Sequence, residues 1–169
     1  MASGLPKAAS FIFLLLNLFL YEVVMVAASW AVNHGIETSY ASASSLPFPA
    51  HLFPIYFPMG NLATGFFVTL SLLVSVLGVT TSLTGIYNVI KGTPPYLHAA
   101  AASSVLTWAL TLLAFGFSSK EIDIGSTGSN LCTIESVIII LSLSQSLCMG
   151  SLHASATEAE RHMLDIGRL

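Results

Sequence analysis

The sequence predicts an all-α fold, an integral membrane four-helix bundle with both termini cytoplasmic. Three observations predict it. Only 8% of the 169 residues are charged, 54% are hydrophobic, and the mean hydropathy is +0.83. A soluble domain carries about 25% charged residues. Four apolar runs are separated by segments rich in Pro, Gly or charge, and each matches the ~20 residues needed to cross a bilayer. Finally, Lys7, Lys91, Arg161 and Arg168 fall on one side of these runs and Lys120 alone on the other. Basic residues mark the cytoplasmic side.

The first helix is expected over about 8–32, in the run AASFIFLLLNLFLYEVVMVAASWAV, interrupted by Asn17 and Glu22. A cleaved signal peptide is the competing reading, with Ala27-Ala28-Ser29 as its cleavage site. The run is long for a signal core, and Trp30 suits a retained interfacial anchor. An outer loop is expected over 33–59, without Lys or Arg. Pro47, Pro49, Pro54 and Pro58 bar a helix through its later part. Its rings, Phe48, Phe53, Tyr56 and Phe57, suit the headgroup level.

The second helix is expected over 60–90, uncharged throughout. Wound at 100° per residue, Gly60, Thr64, Ser71, Ser75, Gly78, Ser82 and Gly85 form one narrow stripe. Such a stripe lets another helix approach closely. Phe66, Phe67, Leu70, Leu72, Leu73, Val74, Val76 and Leu77 occupy the other faces and read as lipid-facing. The stripe suits packing within the chain and between copies, so a homo-oligomer is a second expectation. After a turn at Lys91-Gly-Thr-Pro-Pro95, the third helix is expected over 96–117, with Ser104, Thr107, Thr111 and Ser118 on one face. A second outer loop is expected over 118–130, a fourth helix over 131–152, and a cytoplasmic tail over 153–169. The spacings Glu158–His162 and Arg161–Asp165 extend the last helix a turn or two into water. The whole chain reads as a single four-span domain, with the lipid bilayer as its surroundings.

No Gly-rich phosphate loop, His-Glu-x-x-His, Cys-x-x-Cys or Gly-x-Ser-x-Gly occurs. No enzyme, metal or cofactor is therefore expected, and five Lys and Arg are too few for a nucleic-acid partner. Cys132 and Cys148 lie too far apart on one helix to bond each other. They read as buried thiols, with pairing of Cys132 between chains as the alternative.

The candidate binding residues are Glu22, Asn17, Glu135, Ser142, Ser146, Thr107 and Thr111. Glu22 stands out, because a carboxylate near mid-bilayer costs about 2.5–3.5 kcal/mol and is expected to face the bundle interior. Two roles fit it: a proton-coupling or ligand-gripping site, or a neutral acid hydrogen-bonded to another helix. Glu135, Ser142, Ser146 and His153 fall on one stripe of the fourth helix, with Gln145 beside it. That stripe reads as a polar track or as interhelical hydrogen bonding. Asn17 is most simply an interhelical clamp. With no Lys or Arg inside any span, an anionic ligand would cross protonated or be held by amides and hydroxyls.

Three strings carry a resemblance: Trp30-Ala-Val-Asn-His-Gly-Ile-Glu37, Phe53-Pro-Ile-Tyr-Phe-Pro-Met-Gly-Asn-Leu-Ala-Thr-Gly-Phe-Phe67 and Thr81-Ser-Leu-Thr-Gly85. With the length and four-span layout, the chain resembles the plant abscisic-acid-induced wheat plasma-membrane polypeptide family (AWPM-like). The resemblance implies a multi-pass protein of the plant plasma membrane, expressed in drought, cold or seed desiccation. It also implies a part in abscisic acid uptake. A structural protein that stabilises the dehydrating membrane is the alternative function. The resemblance assigns no binding residues.

Overall fold

The computed structural model describes residues 4–44, 62–124 and 129–166. Every element in it is a helix: α1 Leu5–Ser44, α2 Leu62–Lys91, α3 Pro94–Ile124 and α4 Ser129–Ile166. All four contain a stretch long and apolar enough to cross a membrane. They form a ring in which α1 and α3 each pack against both α2 and α4. Lys7 Nζ donates to the Gly92 carbonyl at 3.3 Å, so α1 starts beside the α2–α3 turn. Glu158, His162 and Met163 of α4 reach the same place, and the start of α1 and the last turns of α4 therefore lie at one end of the bundle.

The turn is built from its sequence. Gly92 takes φ +65°, a conformation only glycine adopts without strain. Its N–H caps the Asn88 carbonyl at 3.0 Å, the single bond of an αL cap. Thr93 then opens α3, its carbonyl accepting from Leu97 N at 3.1 Å. Pro94 follows at the first helical position, where a missing N–H costs nothing.

The packing follows a 3.5-residue rhythm. On α1 the buried positions are Ser10, Leu14, Asn17, Tyr21, Val24, Ala28 and Gly35, the alternating four- and three-residue steps of a coiled-coil seam. Antiparallel α2 answers with Gly85 against Leu14 and Gly78 against Tyr21. A Cβ on Gly78 would overlap the Tyr21 ring, and one on Gly85 would sit 2.8 Å from a Leu14 methyl. The stripe residues Thr64, Ser71, Ser75 and Ser82 are buried along the same line. Gly60 lies outside the described residues, as do the four rings of the predicted outer mouth. The stripe is taken up by α1, which removes the sequence argument for packing between copies.

The lipid-facing assignment on α2 needs correction. Phe67 and Val74 are buried core residues, and Leu70 and Leu72 pack against that core. Wound at about 100° per residue, Phe67 and Val74 fall within roughly 20° of Gly85, so they share the inward face with the small residues. Phe66, Leu73, Val76 and Leu77 remain exposed.

Three segment limits also differ. Residues 33–44, expected in a loop, continue α1. Stacking of Trp30 on His34 and the bonds Asn33 to Glu37 and Thr38 to the His34 carbonyl each span one helical turn. Helicity there does not need apolar side chains, and the first proline comes only at Pro47. Likewise α3 runs on to Ile124 and α4 to Ile166, which leaves residues 125–128 between them and turns most of the expected tail into helix.

Depth can be read from the helix rise. Lys7 to Trp30 spans about 35 Å at 1.5 Å per residue, close to the ~30 Å hydrocarbon layer. Asn17 is then about 15 Å from Lys7, near the middle, and Glu22 about 22 Å.

Candidate functional site

The middle of the bundle is polar. Asn17 is fully buried; its Nδ2 donates to Gln145 Oε1 at 2.6 Å and its Oδ1 accepts from Ser144 Oγ at 2.6 Å. Gln145 Nε2 continues to the Ser104 carbonyl at 3.4 Å. One cluster thus ties α1, α3 and α4 together. One helical turn away, Tyr21 Oη and Thr111 Oγ1 are 2.7 Å apart, and Thr107 Oγ1 donates to Thr81 Oγ1 at 3.0 Å. This second cluster joins α1, α2 and α3. Hydrocarbon offers polar groups no water, so each must find a partner inside the protein. Ser71 Oγ is the exception among the described residues, buried with no partner.

These clusters account for Asn17, Thr107 and Thr111. Tyr21 and Ser144 join them as residues that sequence reasoning passed over, and Trp108 makes a further interhelical bond of the same kind. Trp108 Nε1 donates to Ser146 Oγ at 2.8 Å. The signal was available, since an indole N–H or phenol inside a membrane span needs a partner.

The polar track on α4 does not run through the bundle. Glu135 and Ser142 are buried, but Ser146 is half-buried and His153 is exposed. Ser142 and Ser146 bond the carbonyls of Ile139 and Ser142 on their own helix, and His153 bonds that of Met149. The buried line of α4 steps by 3.5 residues through Ile138, Leu141, Gln145, Cys148 and Leu152. A stripe drawn through Glu135 and His153 drifts off it. Ser118 Oγ reaches the Glu135 carbonyl at 3.5 Å. Cys132 is an exposed thiol, against expectation, and Cys148 is a buried one.

Glu22 is the largest correction. It faces outward from the bundle, not inward. It lies five residues from Asn17, about 140° around the helix, and the seam took Asn17. Glu22 makes no hydrogen bond with any described residue. It lines an open groove of about 670 Å³ with Val23, Val26, Ala27 and Trp30 of α1 and Asn130 of α4. The groove runs from the level of Trp30 down to Glu22, about 12 Å along the helix. Its wall is mainly apolar, with one carboxyl, one amide and one indole.

A ring of four apolar helices with a self-satisfied polar middle and a lateral groove defines a multi-pass membrane protein. The chain belongs to the AWPM-19-like family, whose model matches residues 15–155. It is similar to the membrane protein PM19L of Oryza sativa subsp. japonica, 36% identical over 143 residues, which cover 83% of this chain and 74% of that protein. No solved structure matches the chain.

Proposed function

We infer that the protein assists entry of abscisic acid at the plant plasma membrane, with the Glu22 groove as the place where the molecule lodges. The observation that carries this reading is the groove itself, an apolar slot open toward lipid with a single carboxyl at its inner end. Abscisic acid is a small carboxylic acid with an apolar ring. No Lys or Arg lies between Lys7 and Lys91 on the first two helices, so the neutral acid is the form the groove accepts. Its ring would lie on Val23, Val26 and Trp30, and its carboxyl would pair with that of Glu22. Both termini are placed in the cytoplasm by the basic-residue count, which opens the groove toward the outer leaflet. A tag on either terminus that is reached by protease from outside intact cells would contradict this orientation.

The test is uptake of abscisic acid against external pH for wild type and Glu22→Gln at matched surface expression. Glu22 is exposed and unbonded to the described residues, so the variant should fold normally. The expected result is loss of most pH-dependent uptake. Superimposable curves would remove Glu22 from the path.

A second reading is favoured by the central clusters. Polar groups that saturate one another hold helices together and leave little to grip a solute, as a membrane-stabilising protein of dehydrating cells would require. Unchanged abscisic acid entry on expression of the protein, with improved survival of drying, would select it.

A further inference from the structure

At the opposite end of the bundle lies a second cavity, of about 270 Å³, between the start of α1, the α2–α3 turn and the overhanging end of α4. Its wall includes Lys7, Thr93, Glu158 and His162, with Met163 at its edge. Lys7 is half-buried, and among the described residues its ammonium bonds only a backbone carbonyl, that of Gly92. Among the described residues the one ion pair is His98 with Glu160 at 3.7 Å, on the bundle exterior. Lys7 and Glu158 therefore share a cavity without neutralising each other. The Thr93 hydroxyl bonds nothing among the described residues.

Opposite charges held apart in one small cavity suit a ligand that carries both. We propose that this cavity binds the headgroup of a phospholipid bearing a phosphate next to a primary ammonium, the phosphoethanolamine type. The phosphate takes Lys7 and the Thr93 hydroxyl, with His162 as a further donor, and the ammonium takes Glu158. A lipid is the source because of depth. Lys7 stands at one end of the apolar stretch of α1, at headgroup level. Leu5 and Met163 nearby are 73% and 61% exposed, where acyl chains would cover them. A quaternary choline cannot donate a hydrogen bond to Glu158, and a purely anionic head would meet its charge unfavourably.

The experiment is lipid retention by the full chain, purified from nanodiscs of equal parts phosphatidylethanolamine, phosphatidylcholine and phosphatidylglycerol and read by native mass spectrometry. Wild type should retain phosphatidylethanolamine in preference to both others. Glu158→Gln should lose the preference over phosphatidylglycerol, and Lys7→Gln should lower retention of all phosphate heads. Each change is expected to be about fivefold, the worth of one charge at a membrane surface. Lys91→Gln, on the same side but with its ammonium over the Tyr87 ring at 5.4 Å, should change nothing. Lys7→Gln keeps a donor for Gly92, and Glu158→Gln alters no contact within the bundle, so unfolding is not the expected outcome of either. Equal retention of the three lipids by wild type would overturn the proposal. So would unchanged lipid preference in both variants, or displacement of the lipid by soluble phosphoethanolamine at millimolar concentration.

Discussion

Gly78→Leu is expected to abolish most of the folded protein. The Tyr21 ring occupies the space a Cβ would need, and that ring is fully buried with its hydroxyl tied to Thr111. A ring so buried can move aside only by giving up that bond, so the helices must part. Overpacking a tight interior costs about 1–3 kcal/mol and sometimes more. Here the added side chain also displaces the ring whose hydroxyl ties α1 to Thr111 of α3, which places the cost at the upper end. Leu73→Ile, on a residue 59% exposed toward lipid, should stay within about 0.5 kcal/mol. Thermal stability of the two variants in detergent checks this, and equal behaviour would mean that the α1–α2 seam does not hold the bundle.

The second large effect is expected at Asn17. Asn17→Leu strands Gln145 Oε1 in a buried layer and leaves Ser144 Oγ only the Leu141 carbonyl of its own helix at 3.3 Å, at a cost of about 1–3 kcal/mol. The Asn17–Gln145 pair should show a coupling of about 0.6–1.7 kcal/mol in a double-mutant cycle, the range found for interhelical bonds in membranes. Ser71→Ala is the control: its hydroxyl is buried without a partner, so its removal should be neutral or slightly stabilising. Additivity of Asn17 and Gln145 would show that the two side chains do not act together.

The four spans, the glycine turn and the close approach on α2 were legible in the sequence, because length, hydropathy and residue size determine them. The helix ends were not. Hydropathy marks where lipid ends, whereas α1 continues through polar Asn33, Glu37 and Thr38 on its own hydrogen bonds. Which face of α1 turns inward was also misjudged. Both Asn17 and Glu22 are polar, and cost alone favours burying the charge. The seven-residue register of Leu14 and Tyr21 against Gly85 and Gly78 decides instead, and it carries Asn17 inward and Glu22 out. The same register explains why Tyr21 was missed: its importance lies in the glycine it meets, far along the chain on another helix.

The central claim is that this bundle assists abscisic acid across a bilayer, and transport by the purified chain tests it most directly. Labelled abscisic acid should enter liposomes containing the protein faster than empty liposomes when the outside is acidic. The excess should shrink as the outside pH rises and the neutral acid is depleted. Equal entry into protein-containing and empty liposomes, with the protein shown to be folded and inserted, would contradict the account.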